Sequence, residues 1–394
     1  MTHWNTNFRL FAAAAVMAAL TLFAAACGTE TAPAAPEAPS PTATPRPAPV
    51  ATAALSPTAT PRPAPVATAT AVPSPTATPN PVLRALQGVP GIVDPSNRGW
   101  PREVETDQGR ITLKSPPQRV HTLSLGHDEI IVALIGAGRL AGIGSFTADP
   151  VYSNIAAEVK DLPKVKRDAE AVLGLSPDLV ISSKFTKQDL LDRIKGAGVP
   201  VVRTNLENSA AGNIPNILLL GYILGAEQRA LELAGEIKDR IVFVALKVQS
   251  VPSASRVRAL SIAKFTDTID AAGSNSTEGG ILTAAGAANA AAEAGIDGHK
   301  NISIESIAAM RPDVVILTQP ADSGEKFRDD LYAAAALADV PAVKNRRIVI
   351  GDSRYYTTLS HWNIRGIEES AKLFYPDLFK DVTFKDFAPF EAQR

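Results

Sequence analysis

The chain has a single cysteine in 394 residues, Cys27, so it can form no intrachain disulfide, CxxC redox pair or cysteine-rich zinc site. It lacks a charge excess as well: 39 basic residues stand against 40 acidic ones, which removes the electrostatic footprint of a nucleic-acid partner. The five histidines, His3, His121, His127, His299 and His361, show neither HxH nor HExxH spacing, and no direct protein metal site is assigned. No GxSxG elbow or Walker loop occurs, leaving hydrolase and nucleotidase chemistry without an anchor. The glycines of "GAGRLAG" (Gly136 to Gly142) follow a helical segment instead of opening one, so Gly136 is a helix-ending residue and not part of a dinucleotide loop.

What is present is distributed unevenly. An apolar run, "LFAAAAVMAALTLFAAA" from Leu10 to Ala26, follows a polar start with Arg9 and reads as an export signal over residues 1–27. The stretch "FAAAC" resembles a bacterial lipobox, with Ala24 where leucine is usual, and makes Cys27 the expected lipidation site. About half of the 31 prolines fall in residues 28–82, where "SPTATPRPAPVATA" occurs at Ser40 and Ser56. Such a Pro/Ala/Thr-rich segment cannot bury enough apolar surface to offset ordering and is expected to be a disordered tether. Extended, it reaches on the order of 150 Å.

Beyond the tether one phrase appears twice: "EAVLGLSPDLVIS" at Glu170 and "ESIAAMRPDVVIL" at Glu305. A second pair, "RVHTLSL" at Arg119 and "RVRALSI" at Arg256, is offset by a similar distance. Two anchors with nearly constant spacing indicate two similar halves. In each half short apolar strands ("LAGIG", "DLVIS", "VPVVRT"; "DVVIL", "RRIVIGD") alternate with helical segments, the mark of a parallel sheet with helices on its faces. Between the halves, Ala226 onward repeats apolar residues at helical spacing and predicts one long connecting helix. The fold expected is α/β: two Rossmann-like lobes with parallel sheets, at 99–225 and 251–394, joined by a linker helix at 226–250.

Proline disfavours helix in the residue before it, so Ser176 and Arg311 are expected to end their helices. That accounts for each Pro-Asp step. The glutamates are a separate matter: they open helices at the carboxyl ends of strands, the ligand-facing side of an open α/β sheet, and an acid there also suits the helix dipole.

From "PQRV" and the two "E…PDLVI"-type segments to "AAGAAN" at Ala284 and "RGIEESAKLFYPDLF", the chain resembles the substrate-binding proteins of ABC importers for iron-siderophore complexes, haem and cobalamin. The resemblance implies a ligand in the cleft between the lobes, modest lobe movement, no catalysis and no prosthetic group. It also implies that Glu170 and Glu305 dock onto an ABC permease dimer with its cytoplasmic ATPase. Cleft residues are expected in loops after the strands: His127, Phe146, Tyr152, Lys184 and Phe185 in the first lobe, Phe265, Arg354, Tyr355, Tyr356 and His361 in the second. Arginine suits ligand carboxylate or catecholate oxygens, aromatic rings supply apolar walls, and tyrosine or histidine could ligate haem iron. The reading is a monomeric, lipid-anchored, extracytoplasmic receptor for an iron complex, a ferric siderophore first. Haem or cobalamin are the alternatives within the class, with oxyanions behind them; a surface enzyme or sensor is the alternative outside it.

Overall fold

A computed structural model describes residues 80–390, so the apolar leader run, Cys27 and the chain through residue 79 lie outside the described residues. Pro81 and Val82, which composition assigns to the tether, instead open a helix, α1 (Pro81–Leu86). Asn80 caps it by accepting from the Val82 N–H at 2.9 Å, and proline is tolerated in a first turn whose N–H groups have no helical partner.

The first lobe begins with an antiparallel hairpin, β1 (Arg102–Thr106) and β2 (Gly109–Leu113). Its sheet contains β3 (Val120–Thr122), β4 (Leu140–Gly142), β5 (Leu179–Ser183) and β6 (Val201–Thr204), ordered β4-β3-β5-β6 and wholly parallel. Every residue of β3, β4 and β5 is buried, as in a parallel sheet covered on both faces. Helices α2 (Leu125–Ile135), α3 (Ala169–Gly174), α4 (Gln188–Gly196) and α5 (Ile214–Leu224) complete the lobe. Gly136 ends α2 at φ +72°, as its place after the helix requires.

Helix α6 (Glu227–Val248) is the connector; 22 residues make it about 33 Å long. Its Leu233, Ala234, Ile237 and Val244 are buried in a core that continues from the first lobe into the second.

The second lobe contains β7 (Arg258–Ala263), β8 (Ile269–Ala272), α7 (Thr277–Ala284), β9 (Ala288–Asn289), α8 (Ala290–Glu293), β10 (His299–Ile302) and α9 (Ile304–Met310). It ends with β11 (Val314–Leu317), α10 (Ala321–Ala333), α11 (Pro341–Lys344), β12 (Ile348–Ile350), α12 (Ser353–Tyr356) and α13 (Asn363–Phe374). Strand order is β10-β8-β7-β11-β12, with β9 also on β7. The expected strands β7, β11 and β12 are parallel, but β8 and β10 extend the sheet antiparallel, so this sheet is mixed.

The doubled phrase has a structural basis. Asp178 accepts from the Gln118 and Arg119 N–H groups at 2.6 and 3.0 Å, and Asp313 from the Arg258 N–H at 2.9 Å. Each arginine side chain then returns to the helix ahead of the Pro-Asp step: Arg119 to the Leu175 and Ser176 carbonyls, Arg258 to that of Met310. Helix C-termini carry unpaired carbonyls and partial negative charge, so the same cap is built twice. Ser176 and Arg311 adopt left-handed conformations, at φ +49° and +47°, instead of the extended form usual before proline. Arg119 therefore corresponds to Arg258, not to Arg256. A two-residue slip preserves strand alternation, so pattern matching could not detect it.

The chain also crosses back. Phe387 packs edge-on against His361 at 4.6 Å and lies under Arg240 of α6 at 4.3 Å. Phe390 sits so close to Gly136 that a Cβ there would lie 2.8 Å from its ring.

Candidate functional site

Helix α2 is apolar except for its first turn, where His127, Asp128 and Glu129 follow one another and all are buried. Three consecutive ionisable side chains out of water are costly unless each is hydrogen-bonded, and each is. His127 Nδ1 meets Ser124 Oγ and its Nε2 meets Thr204 Oγ1 on β6, both at 2.7 Å. Asp128 accepts from the Thr122 and Thr147 hydroxyls at 2.7 and 2.6 Å.

Glu129 joins the lobes. One oxygen accepts from the Asn154 backbone and side-chain N–H groups at 2.9 and 2.8 Å; the other accepts from the Thr358 and Ser360 hydroxyls, both at 2.6 Å. Asn154 also donates to the Arg354 carbonyl at 3.0 Å. These bonds hold the 143–168 loop of the first lobe against the 352–360 segment of the second. Asn213 donates to Leu359 O at 3.1 Å and Asn208 to Asn275 O at 2.7 Å, adding further crossings.

Burial sets the protonation of this turn. It pushes His127 down to about 3 and keeps the ring neutral. Burial raises Asp128 to about 7, against the pull of the Thr147 and Thr122 hydroxyls. Glu129 is raised by the same cause, opposed by Ser360, Thr358 and Asn154.

The structure places several of the residues expected in the cleft in the interior. His127 has both ring nitrogens engaged inside the lobe and supports the loops instead of facing a ligand. Tyr356 is 2% exposed and pairs with the Ser370 hydroxyl at 2.7 Å; burial raises its pKa. Buried His361 lies against Trp362 and Phe387, lowered to about 3 by burial and by Arg229 and Arg240. Tyr355 is buried too, stacked 6.4 Å from Trp362. His127 heads α2, and Tyr355 and Tyr356 lie in α12, so these side chains belong to helices packed on the lobes and not to open loops.

The remaining candidates lie where the sequence places them, at the carboxyl ends of strands. Phe146 and Tyr152 form an edge-on pair at 5.4 Å within the loop that Glu129 and Asp128 secure. Half-buried Tyr152 has a raised pKa, from burial and then Asp149, which keeps it a phenol. Lys184 and Phe185 follow β5, with Phe185 54% exposed; Phe265 follows β7 at 36%. Arg354 is half-exposed and clasped by Asp352 at 2.5 to 3.1 Å, bonds that raise its pKa. Through Asn154 the structure brings Phe146, Tyr152 and Arg354 to the same interlobe seam.

Sequence reading missed Asp128, Glu129, Asn154, Thr358 and Ser360. One signal was available: three ionisable residues heading an otherwise apolar helix need buried partners, and the hydroxyl-rich "TTLS" at 357–360 supplies two of them.

Glu170 and Glu305 are both exposed, each in the first turn of its helix. Capping falls to their neighbours: Asp168 accepts from the Ala171 N–H at 2.8 Å and Ser303 from the Ser306 N–H at 3.3 Å. Neither glutamate is needed as a cap.

Comparison with known proteins agrees with this architecture. A family model described as periplasmic binding protein matches residues 120–355. An ABC transporter substrate-binding lipoprotein of Bacillus subtilis, YvrC, is 26% identical over 275 residues, 69% of this chain and 84% of its own length. A cobalamin-binding protein of Halobacterium salinarum is 28% identical over 245 residues, 62% of this chain and 64% of its own. The apo periplasmic haem-binding protein RhuT of Roseiflexus is 28% identical with a TM-score of 0.57, covering 66% of this chain and 99% of its own.

Proposed function

The chain belongs to the periplasmic binding protein family, and from that premise we propose that it is the extracytoplasmic receptor of an ABC importer, with a ferric siderophore as its ligand. Proteins of this family deliver small molecules to a permease driven by an ATPase, and the iron chelate, haem or cobalamin they carry is cargo and not a prosthetic group. The observation that carries the choice of cargo is what the strand ends present: Lys184 with Phe185, Phe265, Arg354, and the Phe146–Tyr152 pair. Cations beside aromatic faces suit an anionic complex bearing aryl or carboxylate oxygens.

Haem is the second reading, favoured by the similarity to RhuT. It needs an axial ligand, and of the residues expected in the cleft His127, Tyr355, Tyr356 and His361 are withdrawn into the interior, leaving half-buried Tyr152.

Parallel titrations of the protein with a ferric triscatecholate, haem and cobalamin, followed by absorption and tryptophan emission, decide among these. Saturable quenching by the triscatecholate, weakened about tenfold or more by Lys184→Glu, is the expected result. A Soret shift at one-to-one stoichiometry would overturn it in favour of haem.

Docking onto the permease falls to Glu170 and Glu305, exposed and free of capping duty on the two lobes, and anchoring to the membrane falls to lipidated Cys27. In an uptake assay, Glu170→Ala with Glu305→Ala abolishes transport while ligand affinity is unchanged; a parallel loss of affinity would place the glutamates in the ligand site instead. In the same cells Cys27→Ser moves the protein from the membrane to the soluble fraction.

A further inference from the structure

Helix α6 buries one face and, over its second half, shows apolar side chains on the other as well. Leu233, Ala234, Ile237, Val244 and Val248 turn inward. Away from them Val242, Phe243 and Leu246 are 53, 41 and 58% exposed. These are three of the seven large apolar side chains exposed among the described residues, gathered within one short stretch of helix; single scattered ones would need no explanation. Phe384 meets Phe243 edge-on at 6.2 Å and continues the patch onto the last segment. No residue assigned above to cargo or to docking lies on α6.

The stripe has a period and a charge pattern of its own. Asp239, Val242, Leu246 and Gln249, all exposed, recur at alternating spacings of three and four, the seam of a helix pair. Asp239 and Lys247 enter no ion pair among the described residues, and the Lys247 ammonium lies over the Phe243 and Phe379 rings at 5.5 and 5.9 Å. The acid and the base stand equally far along the chain from Phe243, one on each side. Exposed Lys238 beside Asp239, and exposed Asp381 beside Lys380, repeat the mixture of signs at the rim. An anionic bilayer would be matched by one sign; a mixed rim around an apolar centre is matched by itself under a two-fold axis.

We infer that this face pairs with a second copy of the chain, the two α6 helices running antiparallel. With the axis midway between Val242 and Leu246, Val242 of each copy lies against Leu246 of the other, and Asp239 of each falls beside Lys247 of the other. About three turns of helix bury less than the roughly 800 Å² per partner of a stable complex. The pair is therefore a weak one that forms where copies are concentrated, and the chain is monomeric when dilute.

The test uses the full-length protein in cells that co-produce two variants, oxidised before lysis; Cys27 is common to all, and wild type sets the baseline. Val242→Cys with Leu246→Cys yields about tenfold more cross-linked dimer than either variant alone, because a disulfide forms only between close backbones. Adding Asp239→Lys to both variants lowers the yield about fivefold. Placing Asp239→Lys in one variant and Lys247→Asp in the other restores it, since both cross-pairs again join opposite charges. Equal yields from mixed and single variants, or no rescue by the exchanged charges, would overturn the inference. Cross-linking at baseline together with quenching of a Phe243→Trp variant by brominated lipid in vesicles would also overturn it, giving the patch to the bilayer.

Discussion

Replacing Glu129 with alanine is expected to destabilise the protein by about 3 kcal/mol and to weaken ligand binding in the same variant. Four donors converge on this carboxylate, from Asn154, Thr358 and Ser360. Alanine leaves them facing a cavity, and the loop carrying Phe146 and Tyr152 loses its tie to the second lobe. Glu129→Gln keeps the shape and one acceptor oxygen, and the serine and threonine hydroxyls can turn to accept from the new amide, so its loss is smaller. Denaturant midpoints and ligand titration of the three proteins check this. Destabilisation without any change in affinity would show that the seam is structural only.

The Asp128→Asn variant is expected to reshape the dependence of stability on pH. In the folded protein Asp128 is raised to about 7, from 3.8 when free, so between those values the native state binds the extra proton. Stability from this group is complete below the free value and is lost as pH rises through about 7. His127 and His361 act oppositely: both are depressed to about 3 from 6.5, so their contribution is complete above 6.5 and is lost as pH falls through about 3. The groups facing Asp128 are Thr122, Thr147, Glu129 and Arg167. Asparagine removes the carboxyl contribution and leaves the histidines. The stability of the variant relative to wild type therefore rises by about 2 kcal/mol from pH 5 to pH 7. Parallel profiles would mean that Asp128 is ionised throughout this range.

Much of the fold was legible because buried parallel strands announce themselves. β5 opens with, and β11 consists of, an apolar run directly after a Pro-Asp step, and the long helix shows its period in Ala234, Ile237 and Val244. β10 could not be found this way: His299, Lys300 and Asn301 are exposed, so the strand carries no apolar pattern and exists because β8 offers it a ladder. The site divides along the same line. Phe185 and Phe265 follow strands and are exposed there, as their position in the sequence suggests. His127, Tyr356 and His361 also follow strands, but the first two fall in the helices α2 and α12, and which way each side chain turns depends on its packing partners. The Thr204 hydroxyl claims one of them and Ser370 another. Glu129 was missed because two of its partners, Thr358 and Ser360, lie in the other lobe more than 200 residues on, and the polar head of an apolar helix signals a need for partners without naming them.

The return of the last segment to Gly136 governs how the receptor meets its cargo. A pair of bodies joined by one connector can swing like a book; a second strap across the same spine removes that freedom and leaves chiefly torsion about the connector. The spacing of the two lobes is then largely set before any ligand arrives, and little ordering entropy remains to be spent at capture.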